Sequence, residues 1–296
     1  MTTTASAPPT RSKVAAYVAL TKPRIIELLL ITTVPTMIVA ERGLPSIWLM
    51  VATVIGGTFA AGGANAVNMY VDRDIDKIMK RTEGRPLVTG EIEPRNALAF
   101  SIGLLAVAGA WLAGFVNPLS AFLALAAAAF YIFIYTLWLK RTSRQNIVIG
   151  GAAGCMPVLV GWAAVTNSIS WEPVVLFAVI FLWTPPHFWA LAVKYRDDYS
   201  AANVPMMPSV ASLQSTARQI VAYTVAVWAV SLAFIPIADM GWIYAVAAVV
   251  LGGAFTAYSV ALLRDPTPGR AMTLFTFSIT YLSGLFVAMA ADQLIL

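Results

Sequence analysis

Apolar runs of about twenty residues recur nine times along this 296-residue chain, and that recurrence leaves few folds open. Roughly 20 consecutive apolar residues cross the hydrocarbon core of a bilayer as a helix. The runs fall at about 25–41, 47–70, 96–115, 118–139, 146–166, 173–193, 219–238, 241–262 and 272–291. In hydrocarbon every backbone polar group must find its partner within its own segment. The expected fold class is therefore an all-α integral membrane protein with nine transmembrane helices. The runs take up most of the chain, so no soluble domain fits between them. Residues 1–20 are expected to be a flexible cytoplasmic segment and residues 21–296 a single transmembrane domain. Only 11% of residues are charged, against ~25% in soluble domains, too few to cover a water-facing surface. The opening MTTTASAPPTRSK has no apolar h-region, so no signal peptide is expected. A single cysteine and a single histidine exclude an internal disulfide and a multi-histidine metal site.

Charge sets the orientation. When loops are assigned alternately to two sides, Arg42 alone falls opposite the other 18 of the 19 basic residues. Adding or removing one span would scramble that division. By the positive-inside rule the N-terminus and the loops after even-numbered helices are cytoplasmic, and the C-terminus is outside. The basic pI then needs no nucleic-acid partner.

The carboxylates show where chemistry is expected. The loops after helices 2 and 6, residues 72–95 and 194–218, carry most of the acids. A loop that only set topology would need cations alone. Asn68, Asp72 and Asp76 are spaced i, i+4, i+8, and each step of four advances ~40° around a helix, so the three share an ~80° sector. Asn65 lies one turn earlier on that side, and Asp74 points elsewhere. Stacked carboxylates repel one another, and placing them where a helix leaves the membrane adds to the cost. A hard divalent cation offsets both. Mg²⁺ takes one or two carboxylates and completes its shell with water and substrate phosphate. The competing reading pairs Asp72, Asp74 and Asp76 with their neighbours Arg73, Lys77 and Lys80. An EF-hand fails because Lys77 stands where that loop requires Gly. Lys80, Arg81 and Arg85 follow, suited to phosphate oxygens. Lys140, Arg141 and Arg144 lie on the same membrane face.

Helix 6 carries Thr184-Pro185-Pro186-His187. The Pro-Pro pair is expected to break or kink the helix just before His187. An intramembrane ionisable group is a functional candidate. His187, Leu191, Lys194 and Asp198 share one helical face. The two acidic clusters follow helices four spans apart, which suggests a pseudo-repeat facing one cavity. Helix 5 opens with small residues, Gly150-Gly151-Ala152-Ala153-Gly154-Cys155, suited to close packing, and Cys155 is expected to pack rather than react.

Carboxylates and cations at the mouth of an apolar bundle suit an allylic diphosphate. The cations neutralise the leaving group, and the apolar walls keep water from the carbocation. At this point Asn68-x-x-x-Asp72-x-x-x-Asp76 resembles the first aspartate-rich motif of the UbiA-type intramembrane prenyltransferases. Met79-x-Arg81-Thr82-x-x-Arg85-Pro86-Leu87, Asn146-Ile147-Val148-Ile149-Gly150-Gly151, Thr184-Pro185-Pro186-His187-Phe188-Trp189 and Leu20-Thr21-Lys22-Pro23-Arg24 are similar to the branch of that family that prenylates haem. The resemblance spans about residues 20–290.

It implies nine helices around a central cavity opening to the cytoplasm. It implies farnesyl diphosphate and haem B as substrates, Mg²⁺ as cofactor, haem O and diphosphate as products for haem-copper oxidases, and association with haem A synthase. Carried over by residue, Asn68, Asp72, Asp76 and Asp198 hold Mg²⁺–diphosphate, and Arg81, Arg85, Lys140, Arg141 and Lys194 support it. His187 is available to the iron or a propionate. Relatives that prenylate aromatic acids carry a fuller second acidic motif than Asp197-Asp198, and a Tyr and Lys closer together than Tyr135 and Lys140. An acceptor of the quinone-precursor or chlorophyll type is the nearest alternative. A transporter would need polar groups midway down several helices.

Overall fold

The computed structural model describes residues 11–296, apart from the side chains of residues 24–30. Among the described residues the regular structure is helical throughout. Nine long helices run in order: α1 (Pro23–Glu41), α2 (Ile47–Val71), α3 (Pro94–Phe115), α4 (Pro118–Thr142), α5 (Asn146–Thr166), α6 (Trp171–Lys194), α7 (Leu213–Ile237), α8 (Trp242–Arg264) and α9 (Pro268–Ile295). Eight of these are long and apolar enough to cross a membrane. The ninth, α1, has 19 residues, and its described apolar part is Ile31–Glu41.

Local chemistry fixes where the helices begin. Proline occupies the first turn of α1, α3, α4 and α9, where its missing N–H costs nothing. Asn117, Ser212 and Thr267 cap α4, α7 and α9 by accepting backbone N–H groups through their side chains, satisfying donors that have no intrahelical partner. Helices α7 and α9 start several residues before their apolar runs. Polar turns such as LQSTARQ and PGRAMT extend them beyond the apolar stretch.

Consecutive helices pack as neighbours, and α6 also packs on α9. Helices α2–α5 and α6–α9 form two groups of four, and α1 lies against α5, α9 and α2. Each acidic loop follows the first helix of its group. Small residues set the close approaches. A Cβ on Gly56 would fall 2.4 Å from Leu112 of α3, and one on Gly161 2.9 Å from the Thr33 carbonyl of α1. Close backbone approach of this kind drives helix association in lipid.

Three expectations change. Residues 1–10 lie outside the described residues, but Lys13–Thr21 is a helix rather than flexible chain, capped by Ser12, with Ala16 and Leu20 buried against α2 and the first acidic loop. Of the break or kink expected before His187, the break does not occur: helix α6 is continuous through Pro185 and Pro186. Neighbouring helices hold α6 on several sides, and the Thr184 hydroxyl donates to the Ile180 carbonyl at 2.8 Å. The carbonyls that the two prolines free belong to Phe181 and Leu182, and prolines are tolerated in membrane helices that neighbouring helices hold in place. Finally, the second half of α4, Phe130–Leu139, is a ten-residue π-helix.

Candidate active site

The predicted acidic face forms and turns inward. Asn65, Asn68, Asp72 and Asp76 are all buried, with Asp72 at 0% exposure. The helical path loosens at Asp72 and resumes as Arg73–Asp76, and the Asp76 N–H still donates to the Asp72 carbonyl at 2.9 Å. The Asn68 Nδ2 amide donates to Asp72 Oδ2 at 2.8 Å and to the Thr136 hydroxyl at 3.0 Å.

These carboxylates pair with distant cations rather than with their sequence neighbours. Lys140, at the end of α4, makes a very short ion pair with Asp72. Arg85 reaches Asp76 at 2.5 Å. Arg141 holds Asp74 through two contacts of 2.7 Å and approaches Asp72 Oδ1 at 3.7 Å. Asp74 is exposed, as expected for the residue off the shared face, and hydrogen bonding from Arg141 lowers its pKa to about 2. Arg73 instead lies over the Tyr70 ring.

The π-helix brings α4 into this cluster. Each π turn closes over five residues, and the Lys140 N–H donates to the Tyr135 carbonyl. Lys140 therefore stands one π turn beyond Tyr135, although the sequence spacing exceeds an α turn. π segments are rare and concentrate at functional sites. Tyr131 stacks on Tyr135 with centroids 5.3 Å apart. Gly150 permits this approach, since a Cβ there would fall 2.2 Å from the Tyr135 ring. The small-residue opening of α5 is thus a packing surface for the site. Cys155 is buried and donates to the Gly151 carbonyl at 3.2 Å.

Lys22 is a site cation that motif reasoning missed. It joins the helix Lys13–Thr21 to α1 in left-handed backbone, φ 54° and ψ 62°. Its ammonium donates to Asn68 Oδ1 at 2.7 Å. Burial, with Arg85 and Lys140 adding to it, lowers its pKa well below the usual lysine value. The one sequence signal was a cation directly before a helix-opening proline.

The loop after α6 docks onto the loop after α2. Asp198 accepts the Arg81 N–H at 3.2 Å, and Arg81 lies over the Tyr195 ring. Tyr199 is buried beside Arg81, and burial raises its pKa. Lys194 and Arg81 are themselves exposed. Lys194 contacts the Tyr195 ring, with its ammonium 5.6 Å from the ring centre. His187 faces α9. Its ring stacks on Trp183 and abuts Phe275, and its Nδ1 lies 2.6 Å from the Ser278 hydroxyl.

Below the acidic face, residues of α1, α2, α4 and α5 line a cavity of about 160 Å³. Half of its lining residues are Ala and Gly from α2, α4 and α5, with Tyr131 and Asn65 also among them. Asn65 lies about one helical turn before Asn68 on the same helix, so the cavity reaches to within a turn of the acidic face.

The donors suit a hard divalent ion. Asp72 Oδ1 is buried and accepts no hydrogen bond, with the Arg141 guanidinium 3.7 Å away, an under-satisfied state for a carboxylate oxygen that a divalent cation would relieve. Among the described residues no group of three or more His, Cys, Asp or Glu side chains is placed to hold a metal ion. Asp72, Asp76 and Asp198 are thus not gathered into one such group; Mg²⁺ here would take one or two carboxylates and draw its remaining ligands from water and phosphate.

A helical membrane bundle with buried carboxylates and cations at the head of an apolar cavity defines an intramembrane enzyme for diphosphate-bearing lipids. Residues 29–285 match the UbiA prenyltransferase family, and the chain belongs to that family. It is similar to proteins named protoheme IX farnesyltransferase from Clavibacter michiganensis (53% identical, covering 96% of this chain and 94% of that protein), Pseudarthrobacter chlorophenolicus (54%, 98% and 93%) and Frankia alni (54%, 96% and 99%). Its fold resembles that of a digeranylgeranylglyceryl phosphate synthase (TM-score 0.77, 18% identity, 96% of this chain and 99% of that one). It also resembles a UbiA homologue from Archaeoglobus fulgidus bound to GPP and Mg²⁺ (TM-score 0.62, 16% identity, 93% and 99%).

Proposed function

We propose that this prenyltransferase moves the farnesyl group of farnesyl diphosphate onto a vinyl carbon of haem B, giving haem O and diphosphate. The observation that carries the reading is the buried Asp72 Oδ1, which accepts no hydrogen bond, in a cation-ringed cluster at the head of an apolar cavity. Bound Mg²⁺ would supply Lewis-acid neutralisation of the leaving diphosphate. Asp72 and Asp76 would hold it, with Asn68 and Asp198 beside them. Lys140 and Arg85 place fixed positive charge where the C–O bond to diphosphate breaks, with Lys22 close to them on Asn68. Arg81, Arg141 and Lys194 line the approach. Fixed charges in a water-poor site need no reorganisation as the reaction proceeds. The Ala and Gly walls take the isoprenoid chain and exclude water from the allylic cation. The vinyl carbon forms the new C–C bond, water adds at the adjacent carbon and a proton is lost. The side chain becomes hydroxyethylfarnesyl.

His187 fits the acceptor role through its free nitrogen. The Ser278 hydroxyl donates to the Phe275 carbonyl at 2.6 Å, so it accepts from His187 Nδ1–H. That leaves a lone pair on Nε2, and a ring whose other N–H is engaged is the usual arrangement for an iron-binding imidazole. His187→Ala is expected to weaken haem B binding about tenfold and to alter its Soret band. Unchanged affinity and spectrum would remove His187 from the acceptor site.

The charge bias supports a reading in which the acidic cluster and N-terminus face the cytoplasm, the C-terminus lies outside and the membrane is a bacterial inner membrane. Association with haem A synthase belongs to the same reading. Incubation with farnesyl diphosphate, Mg²⁺ and haem B, in parallel with hydroxybenzoate, tests the assignment. A product with the mass of haem O is expected, and prenylation of hydroxybenzoate alone would refute it.

A further inference from the structure

Asn68 contributes to the metal-facing side only through its amide oxygen, because the amide nitrogen is a donor. That nitrogen is committed to Asp72 Oδ2 at 2.8 Å and to Thr136 at 3.0 Å. Flipping the amide would turn its oxygen toward a carboxylate and its N–H groups toward an ammonium. The oxygen must therefore face Lys22, whose Nζ lies 2.7 Å away. The charges of Asp72 and Asp76 also act on that ammonium. An ammonium on this oxygen and a divalent ion beside it would repel each other strongly at such range.

We propose that Lys22 is a resident counter-ion of the donor site. Its ammonium occupies the Asn68 oxygen in the metal-free enzyme, is displaced when metal and diphosphate load, and then pairs with the diphosphate. This rests on the reading that the site takes a metal–diphosphate pair. The backbone supports a special placement for the side chain. A residue before proline is already restricted, and a non-glycine residue in the left-handed region is strained, a state that persists where surrounding structure enforces it. Here Lys22 closes one helix by donating its N–H to the Ala19 carbonyl and opens the next at Pro23. The strain aims its four-carbon stem at Asn68. A flexible lysine with three donors can exchange an amide oxygen for a phosphate oxygen a short distance away.

The test uses the intact protein in detergent, with Mn²⁺ titrated alone and bound metal read from loss of the free-ion EPR signal. Lys22→Gln and Lys22→Met are expected to bind Mn²⁺ about tenfold more tightly than the native protein, because a competing positive charge is gone. Lys22→Arg is expected to keep the native affinity. With Mn²⁺ saturating, inorganic pyrophosphate is expected to bind about tenfold more weakly to Lys22→Gln and Lys22→Met, because the released ammonium no longer meets it. Unchanged Mn²⁺ affinity in whichever of the two uncharged variants keeps native thermal unfolding would overturn the counter-ion role. Unchanged pyrophosphate affinity would overturn the exchange. Failure of the native protein to bind Mn²⁺ at all would instead sink the reading of the site on which this rests.

Discussion

Asp72→Asn abolishes prenyl transfer, by at least ~10³-fold, while the protein stays folded and inserted in the membrane. The substitution keeps the shape of the side chain. A carboxamide oxygen still accepts from Asn68 and Lys140, so packing at this fully buried position survives. What is lost is the charge, and with it the carboxylate oxygen that accepts no hydrogen bond and suits a divalent ion. The cations also lose their balance, since Lys140 and Arg141 both approach this one carboxylate. Asp74→Asn is the matched control. Asp74 is exposed and turned to Arg141 at the rim, and surface ion pairs contribute little. It should retain turnover within about threefold. Product formation by chromatography, with thermal unfolding in parallel, measures both variants. Native-like turnover in Asp72→Asn would remove the metal site.

The second large effect concerns the cavity. Ala61→Phe sends a ring from α2 into the space bounded by α1, α4 and α5. Ala61 is only partly buried and borders empty volume, so the added bulk displaces ligand rather than packed side chain. Turnover with farnesyl diphosphate should fall about 100-fold, in line with removal of several buried methylene groups of substrate contact. Dimethylallyl diphosphate, which needs little of the cavity, should remain a donor, because the cluster at Asp72 is untouched. Steady-state kinetics with the two donors read the result. Equal losses for both would mean that the isoprenoid chain lies elsewhere.

Much of this architecture was legible in the sequence. Spans follow from apolar length, because lipid forbids unpaired backbone, and the one-sided distribution of Lys and Arg fixes their alternation. The inward face of Asn68, Asp72 and Asp76 follows from 3.6-residue periodicity alone. What the sequence withheld depends on tertiary contact. Phe130–Leu139 reads as a plain apolar run, and hydrophobicity does not encode a bond that closes over five residues instead of four. The pairing of Asp72 with Lys140 required knowing which loops meet, and that of Asp76 with Arg85 how one loop folds back on itself. Lys22 looked like one more topology-setting cation, because its role arises from a left-handed turn between two helices. Pro185 and Pro186 looked like a break, because local rules do not include the packing that keeps α6 continuous.

The most direct test is a structure of the protein with Mn²⁺ and a non-reactive thio-analogue of farnesyl diphosphate. The account predicts an anomalous Mn²⁺ peak within coordination distance of Asp72 Oδ1, diphosphate density between Lys140 and Arg85, and the isoprenoid chain among the alanines of α2, α4 and α5. Metal bound away from Asp72, or a chain lying among α6–α9, would contradict it.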